Sequence, residues 1–143
     1  MAMPDQTSWL AHKQADVTNP IEVLLARKLI LADANELGFP QIDATKLATA
    51  VSELARNLLE HGGGGRVSWW VVNNSGRFGI KVEFQDHGVG ISDVDHALTD
   101  GFTTGGGMGL GLPGSKRLVD ELDIDSEPGQ GTRVTIVKWM RGS

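Results

Sequence analysis

Five glycines fall within ten residues of this chain, Thr103-Thr104-Gly105-Gly106-Gly107-Met108-Gly109-Leu110-Gly111-Leu112, and a helical pattern follows at once. Glycine loses more backbone freedom on ordering than any other residue, so an ordinary surface loop has no use for so many. Residues without side chains let a segment close over phosphate groups, and the helix behind them offers unpaired N–H groups to an anion. The spacing therefore predicts a flexible cover from Thr99 to Met108. A helix should then start near the glycines and reach Glu121, with Pro113 tolerated in its first turn.

The rest of the chain must supply a rigid layer beneath that cover. Its 143 residues suit a single domain spanning 1–143, with 1–8 and 141–143 expected to be flexible. The terminal Arg141-Gly142-Ser143 carries no weight in this reading. There is no cysteine, which excludes a disulfide framework, a cysteine nucleophile and a thiolate metal site. The formal net charge is −5 and no basic stripe is visible, so nucleic acid is not the expected partner. No apolar run approaches the roughly 18 residues of a membrane span, and Met1–Trp9 lacks the regions of a signal peptide. The expectation is a cytoplasmic protein with no membrane partner.

Asn19, Pro20 and Glu22 have the spacing of a helix start, and Gly38 followed by Phe39-Pro40 is a stop. Between them Ile21, Leu25, Leu29 and Ala32 keep helical spacing. A second helix, about Asp43 to Glu60, carries the stripe Leu47, Val51, Leu54 and Leu58. Strands are expected over about Trp9 to Val17, Arg66 to Val72, Phe78 to Gln85, Leu122 to Asp125 and Thr132 to Trp139. A short helix should cover Ser92 to Leu98. In the third of these strands Ile80, Val82 and Phe84 alternate with Lys81, Glu83 and Gln85, so one face is buried. Strands and helices mix without the regular alternation of a doubly wound sheet. The expected class is α+β, a two-layer α/β sandwich whose mixed sheet is covered by helices on one face.

Three separated groups of residues carry chemistry. Glu53, Asn57 and His61 recur every fourth residue along the second helix and flank its apolar stripe. A carboxylate beside an amide oxygen suits magnesium and a polarised hydroxyl. Asp86-His87-Gly88-Val89-Gly90 follows a strand. Its carboxylate can accept a hydrogen bond from an exocyclic amine, while the glycines let a flat ring approach the backbone. The glycine run described first is the third. Each group alone has a plain alternative: a solvated helix face, an ordinary Asp-X-Gly turn, a surface loop.

In this order, and followed by Gly131-Thr132, the groups resemble the four sequence boxes of the GHKL ATPases, the gyrase, Hsp90, histidine kinase and MutL superfamily. The resemblance spans about Pro20 to Trp139. Within that superfamily Asp100–Leu122, Ala50–Asn57 and Val137–Arg141 resemble the switch serine/threonine kinase of the bacterial stressosome, the RsbT type. Anti-sigma factor kinases are similar in size and boxes, but typically have a longer lid with an arginine for the γ-phosphate. No arginine lies between Arg77 and Arg117 here.

The resemblance implies a Bergerat-type fold, ATP and Mg²⁺ as cofactors, and transfer of the γ-phosphate to a serine or threonine of a protein. It implies Glu53 as general base and Asn57 as the Mg²⁺ ligand. Asp86 would bind the adenine amino group with Thr132 supporting it, and Gly88 and Gly90 would admit the base. Thr104, Gly107, Gly109 and Gly111 would wrap the phosphates, and Lys116 or Mg²⁺ would neutralise the γ-phosphate. His61 matches a variable position and receives no role. The implied partners are a STAS-domain antagonist as substrate and a PP2C-type phosphatase activated by binding. The alternative is an anti-sigma factor that sequesters a sigma subunit and phosphorylates an anti-anti-sigma protein.

Two further patterns are set aside. Gly109-X-Gly111-X-X-Gly114 matches a dinucleotide fingerprint but lacks a preceding strand. Asp123-Ile124-Asp125-Ser126-Glu127 imitates a calcium loop, but Pro128 stands where glycine is needed.

Overall fold

The computed structural model of the chain describes residues 12–86, 112–127 and 131–141. The expected cover over 99–108, the helix over 92–98 and the strand start at 9–11 lie outside those residues. The elements run β1 (Lys13–Val17), α1 (Pro20–Leu37), α2 (Gln41–Glu60), β2 (Gly65–Asn74), β3 (Arg77–Asp86), α3 (Leu112–Leu118), β4 (Glu121–Glu127) and β5 (Gly131–Trp139). The third helix therefore ends sooner than its pattern suggests, because Glu121 already belongs to a strand.

The signals read for α1 form its ends. Asn19 Oδ1 accepts from the Glu22 N–H at 3.0 Å. Glu22 does not return the bond to Asn19. Its carboxylate accepts from the Thr18 N–H at 2.7 Å and the Thr18 hydroxyl at 2.6 Å, and the hydroxyl bond above all holds its pKa below the usual value. At the other end Gly38 adopts φ 99°, a left-handed conformation that favours glycine, and Phe39 N–H reaches back to Ala34 O.

The apolar spacing read for α1 lies on the wrong side of it. The buried residues are Val23, Ala26, Ile30, Asp33 and Ala34, while Ile21, Leu25, Leu29 and Ala32 face outward. Two stripes on this helix satisfy helical spacing, and periodicity does not rank them. The buried one is narrower and lets the backbone sit close to α2. It also places Asp33, which accepts from the indole N–H of Trp69 at 2.8 Å and from Lys13 at 2.9 Å.

Among the described residues the sheet order is β1-β2-β3-β5-β4, and every pairing is antiparallel. This corrects the expected mixed sheet. β3 and β4 run in the same direction, and side by side they would pair in parallel. β5 turns back from β4 and inserts between them, leaving antiparallel neighbours throughout. The β2–β3 hairpin closes on Ser75 (φ 55°) and Gly76 (φ 87°), with Asn73 accepting from the Gly76 N–H at 2.8 Å.

Alternation sorts the strands into two faces. Val67, Trp69 and Val71 of β2, Ile80, Val82 and Phe84 of β3, and Val134 and Ile136 of β5 are buried on one face. There they meet Leu47, Val51, Leu54 and Leu58 of α2, the stripe expected from sequence. α2 is the central helix, touching α1, α3 and four of the strands. The opposite face carries Ser68, Trp70, Lys81, Glu83, Arg133 and Thr135 and is polar, so the architecture is a two-layer α+β sandwich. No described helix is long and apolar enough to cross a membrane.

Candidate nucleotide-binding site

Glu53 and Asn57 lie one turn apart on α2, half-buried beside the buried Leu54 and Leu58. Glu53 Oε1 accepts from Arg56 Nη1 at 3.0 Å, with both side chains nearly half exposed. Such a pair is worth roughly 0.5 kcal/mol and opens readily, so the carboxylate stays accessible. Past Asn57 the helix ends in glycines. His61 and Gly62 donate their N–H groups to Asn57 O at 2.9 and 3.2 Å, and Gly64 N–H reaches Leu58 O at 2.6 Å. Gly63 and Gly64 have φ of 75° and 103°, which turns the chain sharply into β2.

That turn brings the end of α2 against the end of β3. A Cβ on Gly62 would stand 2.6 Å from Asp86 Cβ and 2.7 Å from its Oδ2, far inside contact distance. Asp86 closes β3, and its Oδ1 accepts from the Thr132 N–H at 2.9 Å. Thr132 is buried on β5, and its hydroxyl lies 2.9 Å from Ser126 Oγ on β4. Gln85 Nε2 adds a bond to Asp86 O at 2.9 Å and a longer one to Thr132 O. Three strand ends thus fix one carboxylate at the foot of the helix that carries Glu53 and Asn57.

Of the residues singled out from sequence, Glu53, Asn57, Asp86 and Thr132 are described. Asp86 and Thr132 are in direct contact, and the end of α2 abuts Asp86. Gly88, Gly90, Thr104, Gly107, Gly109 and Gly111 lie outside the described residues. Lys116 is exposed on α3. Asp123 and Asp125 sit on β4 rather than in a calcium loop, with Asp125 paired to Arg133 at 2.8 Å. No cluster of metal-ligating side chains occurs among the described residues. Sequence reasoning missed Gly62 and Ser126. The signal for Gly62 was present: four consecutive glycines exceed what a short helix-to-strand connection needs.

Comparison with known proteins decides the family. Residues 42–141, which hold Glu53, Asn57, Asp86 and Thr132, match the histidine kinase-, DNA gyrase B- and HSP90-like ATPase family. The chain belongs to this family. As a member it is an ATP-binding protein, and its relatives place it on the kinase side. It is 42% identical over 120 residues to the serine/threonine-protein kinase RsbT of Bacillus subtilis (strain 168), covering 84% of this chain and 90% of that one. It is 32% identical over 120 residues to an anti-sigma F factor of Thermoanaerobacter sp. (strain X514), covering 80% and 83%. Among solved structures, the RsbU and RsbW domains of Rv1364c from Mycobacterium tuberculosis superpose with a TM-score of 0.61 at 19% identity. That match covers 93% of this chain but only 33% of the longer protein, and it speaks for the fold alone.

Gly62 is the most direct probe of this corner. Gly62→Ala has no left-handed φ to oppose it, so any effect comes from contact with Asp86. Because Thr132 holds that carboxylate, the added methyl should displace it. ATP affinity, measured by calorimetry, should fall about tenfold or more, the loss of one charge-assisted hydrogen bond. An unchanged affinity would separate Asp86 from the nucleotide.

Proposed function

We propose that this protein transfers the γ-phosphate of ATP to a serine or threonine of a STAS-domain antagonist in a cytoplasmic partner-switching pathway. The observation that carries the reading is Glu53, an accessible carboxylate one helical turn before Asn57 on α2, within the span that matches the family. A pocket that only bound nucleotide would have no use for a base there. Glu53 accepts the proton of the attacking hydroxyl as the oxygen–phosphorus bond forms, which leaves ADP and the phosphorylated side chain. Asp86, oriented by the Thr132 N–H, accepts from the adenine amino group. The glycines at 107, 109 and 111, with Thr104, wrap the phosphates, and Gly88 and Gly90 admit the base.

Asn57 lies half-buried one helical turn from Glu53, and an amide oxygen and a carboxylate are the oxygen donors that suit a hard cation. Bound there, Mg²⁺ would supply charge neutralisation across the phosphates. Asn57 would hold it, and Lys116 is the cationic side chain proposed to assist at the γ-phosphate. The second partner is a PP2C-type phosphatase activated by binding.

The likeness to anti-sigma F factors supports one alternative, sequestration of a sigma subunit with phosphorylation as the release device. The deciding experiment is transfer from γ-labelled ATP to a purified STAS protein, run beside a sigma-subunit binding assay. Labelling of the STAS protein without sigma binding supports the kinase-switch reading. Tight sigma binding replaces it.

Asp86→Asn tests the nucleotide end of the same site. The amide can donate as well as accept, so preference for adenine over guanine should relax. Calorimetry should show ATP affinity lower by about 10- to 150-fold, equivalent to roughly 1.5–3 kcal/mol for a bond to a charged group. A folded variant with parent affinity would remove Asp86 from the adenine contact.

A further inference from the structure

Thr132 meets Asp86 through its backbone, and its hydroxyl has a separate partner. The Thr132 N–H donates to Asp86 Oδ1 at 2.9 Å, while Thr132 Oγ1 lies 2.9 Å from Ser126 Oγ. Ser126 stands directly opposite Thr132 in the β4–β5 pairing. By alternation both fall on the helix-covered face, Ser126 in line with Leu122 and Ile124, Thr132 in line with Val134 and Ile136. Asp86 ends the row of Ile80, Val82 and Phe84 on the same face. The strand pairing and the bond to Asp86 fix the Thr132 backbone. What they leave open is the direction of its hydroxyl proton.

Distance alone allows either hydroxyl to donate to the other. A competing acceptor decides between them. Among the described residues the Ser126 proton has two acceptors within reach, Thr132 Oγ1 at 2.9 Å and Gly131 O at 3.4 Å. O–H···O bonds ordinarily measure about 2.5–3.0 Å, so the proton goes to Thr132. Thr132 Oγ1 then accepts from Ser126, and its own proton turns away from β4.

We propose that Ser126 is a positioning residue for nucleotide recognition, making the Thr132 hydroxyl a donor toward N1 of the bound purine. The inference deepens the proposed site and rests on Asp86 accepting from the 6-amino group. The two contacts then read neighbouring atoms of the base with opposite polarity. Adenine offers a donor at its amino group and an acceptor at N1, and satisfies both. A 6-oxo purine offers an acceptor and an N1–H donor, so it sets oxygen against carboxylate and proton against proton. One water bridging the hydroxyl to N1 would pass on the same polarity. The Ser126–Thr132 bond also ties β4 to β5, but a tie alone is indifferent to which base is bound.

The test is calorimetry of nucleotide binding, which needs neither a protein substrate nor phosphate transfer. The parent should bind 1-deaza-ATP, in which C–H replaces N1, about 3- to 10-fold more weakly than ATP, the worth of one neutral hydrogen bond. Ser126→Ala should weaken ATP binding by a similar factor and leave 1-deaza-ATP within about twofold of the parent. It should also narrow the preference for ATP over ITP, the 6-oxo analogue, because a hydroxyl released from Ser126 can turn a lone pair toward N1–H. Ser126→Thr keeps the donor and should keep the parent preference. Thr132→Val removes the hydroxyl but not the N–H to Asp86, and adding Ser126→Ala to it should lower ATP affinity no further. Equal losses of ATP and 1-deaza-ATP affinity in Ser126→Ala would reduce Ser126 to a cross-strand tie and overturn the proposal. So would a parent that binds ATP and 1-deaza-ATP alike, a result that leaves the Asp86 contact standing and does not depend on any variant folding. Purine riboside triphosphate, which lacks the 6-amino group, reads that contact separately. It should bind the parent more weakly than ATP, and equal binding would overturn the Asp86 reading together with this one.

Discussion

Glu53→Ala should lose phosphate transfer to the antagonist by about 10²- to 10⁴-fold, the usual contribution of a general base, while keeping most of its ATP affinity. The structure gives reasons for both halves. The side chain is half-buried and pairs with Arg56 on the helix surface, so its removal leaves the buried stripe of Leu47, Val51, Leu54 and Leu58 intact. The proposed adenine contact lies elsewhere, at Asp86 on β3. Radiolabel transfer measured beside nucleotide binding separates the two quantities. Transfer at the parent rate would end the base assignment. Loss of ATP binding in parallel would instead place Glu53 among the binding residues. Arg56→Ala is the control: it removes the ion pair without touching the carboxylate, and it should change transfer by less than a few-fold.

Where the sequence carried a redundant signal, the fold was legible. The second helix had one apolar stripe, and that stripe is the core. The alternation of Ile80, Val82 and Phe84 survives in the register of the β2–β3 hairpin. The first helix had two stripes of equal spacing, and the choice between them depends on what α2 and the sheet present. No local pattern contains that information. The strands that form β4 and β5 were legible one by one, but the insertion of β5 beside β3 was not. It follows from the order in which edges are filled, which is a long-range property.

The site shows the same division. Asp86 and Thr132 are 46 residues apart, and no spacing rule joins them; only the family resemblance put them in one pocket. The contact then has a simple local cause, a strand-end carboxylate facing the first N–H groups of the neighbouring strand. Gly62 was passed over, although it opens a run of four glycines between a helix pattern and a strand pattern. Glycines there serve two different needs: Gly63 and Gly64 supply left-handed turns, while Gly62 supplies room for Asp86.

Arg141 was given no weight in the sequence reading, yet it makes a specific contact. Its guanidinium makes two bonds to Asp43, at 3.0 and 2.6 Å, and Asp43 is fully buried in the first turn of α2. Lys138, also buried, stands 3.9 Å from the same carboxylate. The last strand is thereby tied to the start of the helix that carries Glu53 and Asn57.

Removing Asp43 should have the largest stability effect of any single change outside the apolar core. Asp43→Ala leaves Lys138 buried with Asp120, at 3.9 Å, as its one remaining ion-pair partner among the described residues. Breaking a buried pair from one side costs about 3–5 kcal/mol, and the exposure of Arg141 points to the lower end. About 3 kcal/mol corresponds to a fall in Tm of roughly 10 °C for a chain of this size. Arg141→Ala should cost much less, about 1 kcal/mol, because Arg141 is largely exposed and Lys138 still faces Asp43 in the variant. The pH dependence has a definite sign. The Arg141 hydrogen bonds, more than any other cause, hold the Asp43 pKa below the ordinary value of about 3.9. The ionised form is therefore favoured by folding. Its contribution is complete above the unfolded pKa and is lost as pH falls from about 4 through the lower folded value. Thermal melts of the parent should lose stability across that acid window, and Asp43→Asn should lose less of it, having no carboxylate there to protonate. If Asp43→Ala melts within about 3 °C of the parent, or if Asp43→Asn keeps the parent acid profile, the clamp does not hold α2 in place.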